Sequence, residues 1–286
     1  MAQSDANPGG MPVPRTAEGR AGLAAILSQP GAALIATDFD GTLSPIVADP
    51  SVAHAHPGAV GALRELAGQI GTLAVITGRA AGDAVELGGF GGVPGMIVLG
   101  HYGGERWQDG VLTSPPPPAG VAEARERLPG VLTAAGAPEG TRVEDKGSAL
   151  VVHTRQAADP VGALGALAEP LAGLAAATGL AVEPGRLVIE LRPPGMDKGA
   201  ALTALAAERK AGAVMFAGDD LGDLAAFGAV RALRAAGHPG LTVCSASAEV
   251  TRLAAEADLV VDGPGGVVAL LGSLARALAA SSRPAR

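Results

Sequence analysis

Two aspartates one residue apart close an apolar run in the stretch Thr37-Asp38-Phe39-Asp40-Gly41-Thr42-Leu43-Ser44-Pro45. The run before them, Ala32 to Ala36, is short and bounded by Pro30-Gly31 and Gly41, which predicts a buried central strand. In extended backbone alternate side chains share a face, so Asp38 and Asp40 are expected to project together while Phe39 enters the core. Carboxylates that close repel and need a cation or a shared proton. A hard dication such as Mg2+ takes oxygen ligands and removes the conflict. The pair therefore suits a carboxylate nucleophile beside an acid/base carboxylate around a metal ion. The plainer reading is a strand that ends in an Asx turn, since Asp and Gly are common turn formers.

Three more polar groups close or open apolar segments. Thr77-Gly78-Arg79 follows Leu73–Ile76, Lys198 stands in the first turn of a helix-patterned segment, and Gly218-Asp219-Asp220 with Asp223 follows Ala213–Ala217. Each has a plain reading alone: Thr77 as a helix N-cap, Lys198 as a solvated lysine, Asp219 and Asp220 as an acidic helix start. Together they offer a metal-binding carboxylate set, two donors for phosphoryl oxygens, a nucleophile and an acid/base. Phosphoryl transfer needs positioning and charge neutralisation of that kind.

The segments that must carry these groups alternate between strand and helix. A helix is expected over 57–70, from Val60, Leu63, Leu66 and Ile70, then a strand over 73–76 and another over 96–99. That is the parallel α/β pattern, in which ligands sit beyond the carboxyl ends of the strands. Asp109-Gly110 marks a hairpin within 105–112, and Pro115–Pro118 a stiff connector. The next section reads helix, two strands, helix, two strands, with its last hairpin turning at Pro184-Gly185, and it closes at Arg192-Pro193-Pro194-Gly195. After it the parallel pattern resumes, through strands near 213–217, 241–244 and 258–261 to a closing helix over 267–280. The expected fold is α/β: a parallel-sheet core with helices on both faces and an inserted α/β cap. The expected division is a flexible tail over 1–18, a core over 19–113 and 196–286, and a cap over 114–195.

Composition narrows the function classes. The chain of 286 residues is long enough for a large domain with an insertion. Aromatic residues make up only 2%, so Ala, Val and Leu must build the core. A net charge of −7 argues against a nucleic-acid surface. The single cysteine, Cys244, allows no internal disulfide and sits in an apolar run, where it reads as packing. No apolar run is expected to reach the roughly 18 residues of a membrane span, and the N-terminus lacks the order of a signal peptide. A soluble, cytoplasmic protein is expected, and the Ala/Gly/Arg bias is that of a high-GC bacterial genome.

The four motifs, in this order, resemble those of the haloacid dehalogenase superfamily. Within it the sequence is similar to the trehalose-6-phosphate phosphatases. The resemblance rests on Asp38-Phe39-Asp40-Gly41-Thr42-Leu43-Ser44-Pro45-Ile46, on the cap segment from Val143 to Arg155, and on Glu190 to Gly199, and it covers about residues 33–272. The fourth motif departs from the family's G-D-D-x-T-D-E at Gly222 and Leu224, and His101-Tyr102-Gly103-Gly104-Glu105 departs from S/N-H-G-x-E.

The resemblance implies a Mg2+-dependent phosphatase working through an aspartyl phosphate. Asp38 would be the nucleophile, Asp40 the acid/base, and Thr77 and Lys198 the phosphate-holding groups. It implies metal ligation by Asp38, Asp40 (through its main-chain carbonyl) and Asp219 with Asp220 or Asp223. Substrate contacts are implied at Gly41, Gly78, Arg79, His101 and Glu105 in the core, and at Glu144, Lys146, His153, Arg155 and Glu190 in the cap. The expected substrate is a small sugar phosphate. No nucleic acid or membrane is expected as partner, a monomer is expected, and association with the upstream synthase is left open. Rival readings are a phosphatase of sucrose phosphate, mannosylglycerate phosphate or an aminocyclitol phosphate, a phosphohexomutase, and a non-catalytic sugar-phosphate sensor.

Overall fold

Strand β1 (Ala33–Thr37) has all five residues buried, as a continuous apolar run between two helical layers requires. The computed structural model describes residues 10–47, 49–246 and 251–281. The chain divides into two compact units, Met1–Thr113 with Asp197–Arg286, and Ser114–Met196.

The first unit begins with α1 (Ala17–Ser28), β1, α2 (Ala59–Ala67), β2 (Thr72–Ile76), α3 (Ala81–Gly88), β3 (Ile97–Gly100), β4 (Glu105–Gln108) and β5 (Val111–Thr113). The second holds α4 (Ala119–Ala134), β6 (Arg142–Asp145), β7 (Leu150–His153), α5 (Pro160–Thr178), β8 (Ala181–Gly185) and β9 (Val188–Arg192). The first unit resumes with α6 (Lys198–Arg209), β10 (Ala213–Gly218), α7 (Leu224–Ala235), β11 (Gly240–Ala246), α8 (Thr251–Glu256), β12 (Leu259–Asp262) and α9 (Gly263–Ser281).

The first unit's sheet runs β12-β11-β10-β1-β2-β3-β4-β5. It is parallel from β12 to β3, with Ile35 beside Met215 and Leu73, and antiparallel from β3 to β5. Ile35, Val75, Met215 and Val243 pack into one core, which Leu63, Leu66, Leu271 and Leu274 complete. Leu34, Ala36, Ile76 and Phe216 turn the other way, against Leu202, Leu205 and Phe227. The polar ends of β1, β2 and β10 therefore lie side by side. In the second unit the sheet order is β6-β7-β9-β8. Leu150, Val152, Ile189 and Leu191 pack on Val121, Leu128, Leu167 and Leu171 of the two helices.

Two expectations need correction. The segment 10–18 is not a free tail: the Arg15 N–H donates to the Asp258 carbonyl at 2.7 Å, Thr16 caps α1 by accepting from the Gly19 N–H, and Met11 packs on the core. Residues 1–9 lie outside the described residues. The last hairpin of the second unit turns at Arg186-Leu187, with Leu187 at φ 63, while Pro184 and Gly185 stay in β8. An edge strand tolerates proline because one row of its N–H groups has no ladder partner. Helices α3 and α8 escaped the periodicity because they are short. Helices α5 and α9 each have 19 residues and are long and apolar enough to cross a bilayer by length and composition alone. Each instead lays an apolar stripe into the core of its unit, through Leu167, Leu171 and Leu174 in α5 and Leu270, Leu271 and Leu274 in α9.

Candidate active site

The Asp38 N–H donates to the Ala217 carbonyl at 2.8 Å, so the β1–β10 ladder continues one residue past β1 and fixes the aspartate. The chain then turns: the N–H groups of Leu43 and Ser44 both reach the Phe39 carbonyl, at 2.8 and 2.9 Å. Gly41 lies in this turn at φ +68, and a Cβ there would come within 2.0 Å of Asp219 Oδ2. Only glycine satisfies both the backbone and the space. Ser245 at the end of β11 donates its hydroxyl to the Gly41 carbonyl at 2.6 Å and holds the turn in place.

Lys198 opens α6, whose N-cap Asp197 accepts from the Ala200 N–H. Its buried ammonium bridges Asp38 Oδ2 at 2.8 Å and Asp223 Oδ1 at 2.7 Å. Asp223, fully buried, also accepts from the N–H groups of Asp219 and Asp220, at 2.9 and 3.2 Å. Asp219 faces Thr42, whose hydroxyl lies 3.4 Å away. Asp38, Asp219 and Asp223 each offer an oxygen within 4.8 Å of the others. Three buried carboxylates against one ammonium leave an excess of negative charge. Burial drives Asp38 well above the ordinary carboxylate range; Lys198 opposes the rise, and Asp223 and Asp219 add to it. Burial, with Asp223 and Asp220 nearby, pushes Asp219 up to about 7. Burial alone would lower the Lys198 ammonium, but Asp223, Asp38 and Asp220 outweigh it and hold it well above its usual value. An all-oxygen set short of positive charge fits a hard divalent cation.

The side chains of Asp220 and Asp40 have other partners. Asp220 accepts from the Gly222 N–H at 2.8 Å and caps the turn after β10, so Asp223 stands where Asp220 was an alternative. Extended alternation stops at the turn, and the Asp40 side chain leaves Asp38 to accept two bonds from Arg79, both at 2.6 Å.

Thr77 is buried at the end of β2, and its hydroxyl accepts from the Arg79 N–H at 3.2 Å. The loop after β3 braces this loop, with the His101 N–H on the Arg79 carbonyl and the Tyr102 N–H on the Thr77 carbonyl. His101 and Tyr102 both have positive φ, 47 and 57. The Tyr102 hydroxyl lies 2.7 Å from where a Gly78 Cβ would stand, which explains the glycine there. Glu105 accepts from the Ala81 N–H at 2.8 Å and lies 3.6 Å from His101, so it anchors the start of α3. Tyr102 and Ser245 were not singled out in the sequence. Ser245 had a signal, as a polar residue at the carboxyl end of a parallel strand.

In the second unit, the residues that alternate with the core-facing ones share the opposite sheet face. Glu144 pairs in register with Val151, Val151 with Glu190, and Glu190 with Glu183. His153 meets Glu144 at 2.8 Å, Lys146 meets buried Glu190 at 3.3 Å, and Arg192 meets Glu183 at 2.8 Å. Arg125 grips Asp145 with two bonds and the Gly147 carbonyl with a third, which steadies the turn that carries Lys146. Arg155 is exposed just beyond β7.

Comparison with known proteins agrees with this architecture. The family profile of the trehalose-phosphatases matches residues 36–264. The chain belongs to the trehalose-phosphatase family. It is 34% identical over 257 residues to a trehalose-phosphate phosphatase of Mycobacterium marinum, covering 84% of this chain and 61% of that protein. A second trehalose-phosphate phosphatase, from Mycobacterium avium, is 38% identical over 208 residues, covering 68% of this chain and 50% of that one. The chain thus spans between half and two thirds of the length of these relatives. Trehalose-6-phosphate phosphatase of Aspergillus fumigatus superposes with a TM-score of 0.66 at 24% identity, over 92% of this chain and 99% of that one. The C-terminal domain of the Candida albicans enzyme gives 0.69 at 21% identity, over the same shares of each. These two likenesses establish that this trehalose-phosphatase family member has the same α/β fold.

Proposed function

We propose that the chain hydrolyses trehalose 6-phosphate to trehalose and phosphate through an aspartyl phosphate on Asp38. The observation that carries this reading is Lys198 between Asp38 and Asp223 beside Asp219, in a chain of the trehalose-phosphatase family. Asp38 attacks phosphorus, the bond to the sugar oxygen breaks, and that oxygen takes a proton from Asp40. Water then attacks the aspartyl phosphate, gives its proton to Asp40, and releases phosphate as the bond to Asp38 breaks. A carboxylate needs no activating base for the first step, unlike a serine. Lys198 holds Asp38 in place, and the Thr77 hydroxyl is the donor for a phosphoryl oxygen. Asp38, Asp219 and Asp223 would hold Mg2+, which supplies the charge neutralisation that two anions need to meet.

For the sugar, the polar sheet face with Glu144, Lys146, His153 and Glu190 is the surface we assign, with Arg155 at its end. Ionised side chains bind hydroxyls through strong hydrogen bonds. The net charge of −7 supports a small-molecule substrate over a nucleic acid, and a cytoplasmic monomer belongs to the same proposal.

The test is phosphate release, with Mg2+ or with EDTA, from trehalose 6-phosphate beside sucrose, glucose and mannose 6-phosphates. Mg2+-dependent release from trehalose 6-phosphate well above the others is expected. No release from any would overturn the reading; release confined to another sugar would discard the substrate and keep the chemistry. Lys146→Ala should raise KM for trehalose 6-phosphate about tenfold and leave p-nitrophenyl phosphate within about twofold, the loss of one charged hydrogen bond.

A further inference from the structure

The resemblance places Arg79 among substrate contacts, but its guanidinium is engaged on the protein. Nε donates to Asp40 Oδ2 and Nη2 to Oδ1, both at 2.6 Å, and Nη1 donates to the Pro50 carbonyl at 2.8 Å. All three nitrogens thus have protein acceptors. The guanidinium carbon lies 5.6 Å from the centre of the Phe39 ring, and Phe39 is fixed edge-to-face on Phe90 at 5.9 Å. The Arg79 main chain is held at both ends, by the Thr77 hydroxyl and the His101 N–H. The arginine side chain is 16% exposed, but the Asp40 carboxylate is 40% exposed and open to water.

We propose that Arg79 is a positioning residue, which aims the Asp40 carboxylate at the water of the second half-reaction and does not bind the substrate phosphate. The assignment rests on the phosphatase reading above. A planar fork that grips both carboxylate oxygens fixes their direction, which a single ammonium does not do. Asp40 is not among the carboxylates that converge at Asp38, Asp219 and Asp223. In the step it serves, the water oxygen bonds to phosphorus, the phosphorus–Asp38 bond breaks, and the water proton passes to Asp40. That proton goes to the departing sugar oxygen in the next cycle, so none is gained or lost.

The experiment follows p-nitrophenol by stopped flow from p-nitrophenyl phosphate and Mg2+, using the full chain and its R79Q, R79K, D40N and R79Q/D40N variants. R79Q and R79K should release a burst of about one p-nitrophenol per chain, then turn over about 10- to 100-fold slower than wild type, a fraction of the effect of a general base. The ratio kcat/KM should change less than about threefold, because it reports binding and transfer to Asp38 and no substrate contact is lost. R79Q should slow D40N by less than about twofold, since two residues that act as a unit are not additive. R79K keeps the charge and the stem over Phe39, so it carries the test if R79Q does not fold. A tenfold rise in KM with kcat kept, a loss of the burst, or an equal R79Q effect with and without Asp40 would each overturn the assignment alone. A wild-type chain that releases neither p-nitrophenol here nor phosphate from trehalose 6-phosphate would overturn the phosphatase reading and this assignment with it.

Discussion

Replacing Asp219 by asparagine should make the metal-free protein more stable, with a gain that grows with pH. Asp219 is 4% exposed, and burial with Asp223 and Asp220 beside it raises its pKa from the ordinary 3.8 to about 7. Below about pH 4 the carboxyl is neutral in both the folded and unfolded chains and costs nothing. Between about 4 and 7 the unfolded chain has released its proton and the folded chain has not, so the unfolded chain binds fewer protons and stability falls as pH rises. Above about 7 the full cost is present. The gap from 3.8 to about 7, at about 1.4 kcal/mol per pH unit, gives roughly 4 kcal/mol. The asparagine side chain carries no charge, keeps the shape and can still accept from Thr42. Thermal melts in EDTA from pH 5 to 9 should show the Asp219→Asn variant gaining on wild type as pH rises, by on the order of 10 °C at pH 8. Added Mg2+ should then stabilise wild type by mass action and leave the variant nearly unchanged. A pH-independent difference, or a variant less stable than wild type at pH 8 in EDTA, would refute the reasoning about the cluster.

Three more outcomes follow from the same structure. Lys198→Met leaves Asp38 and Asp223 buried without their shared cation, so chemical denaturation should show a loss of about 3–5 kcal/mol at pH 7 and phosphate release should vanish. Gly41→Ala puts a methyl on Asp219 in backbone that disfavours it, so turnover should fall roughly a hundredfold while circular dichroism is kept; activity within twofold would contradict the packing described. Asp258 is buried under Arg234, Thr16 and Thr242: burial raises its pKa, but the hydrogen bonds of these partners outweigh it and hold it below the ordinary value. Its contribution is present above the unfolded pKa of about 4 and lost as pH falls through the folded one, and Asp258→Asn should cost about 3 kcal/mol in a denaturant titration at pH 7.

Much of the core was legible because parallel strands buried on both faces leave unbroken apolar runs. Ala33–Thr37, Thr72–Ile76 and Ala213–Gly218 stand out that way, and the polar residues just after them mark the edge where a ligand sits. Helices α3 and α8 were not legible, since eight and six residues give too few turns to show a period. The hairpin at Arg186-Leu187 was hidden by Pro184-Gly185, a turn signal that an edge strand absorbs.

The sequence by itself determined which side chains gather at the carboxyl edge: Asp38, Thr77, Asp219 and Asp223 follow strands, and Lys198 opens a helix behind its cap Asp197. Only the tertiary structure decided how they are aimed. Alternation predicts direction while the backbone is extended, and it stops at Phe39, where the turn closes on one carbonyl and Gly41 reverses φ. Past that point Asp40 goes to Arg79, a partner 39 residues away in the chain, and Lys198 binds Asp223 over 25 residues. Asp223, not Asp220, converges with Asp38 and Asp219, and its carboxylate accepts the two N–H groups at the end of β10, which a buried strand end must satisfy. These partners come from separate loops, and no spacing along one loop records the distance to another.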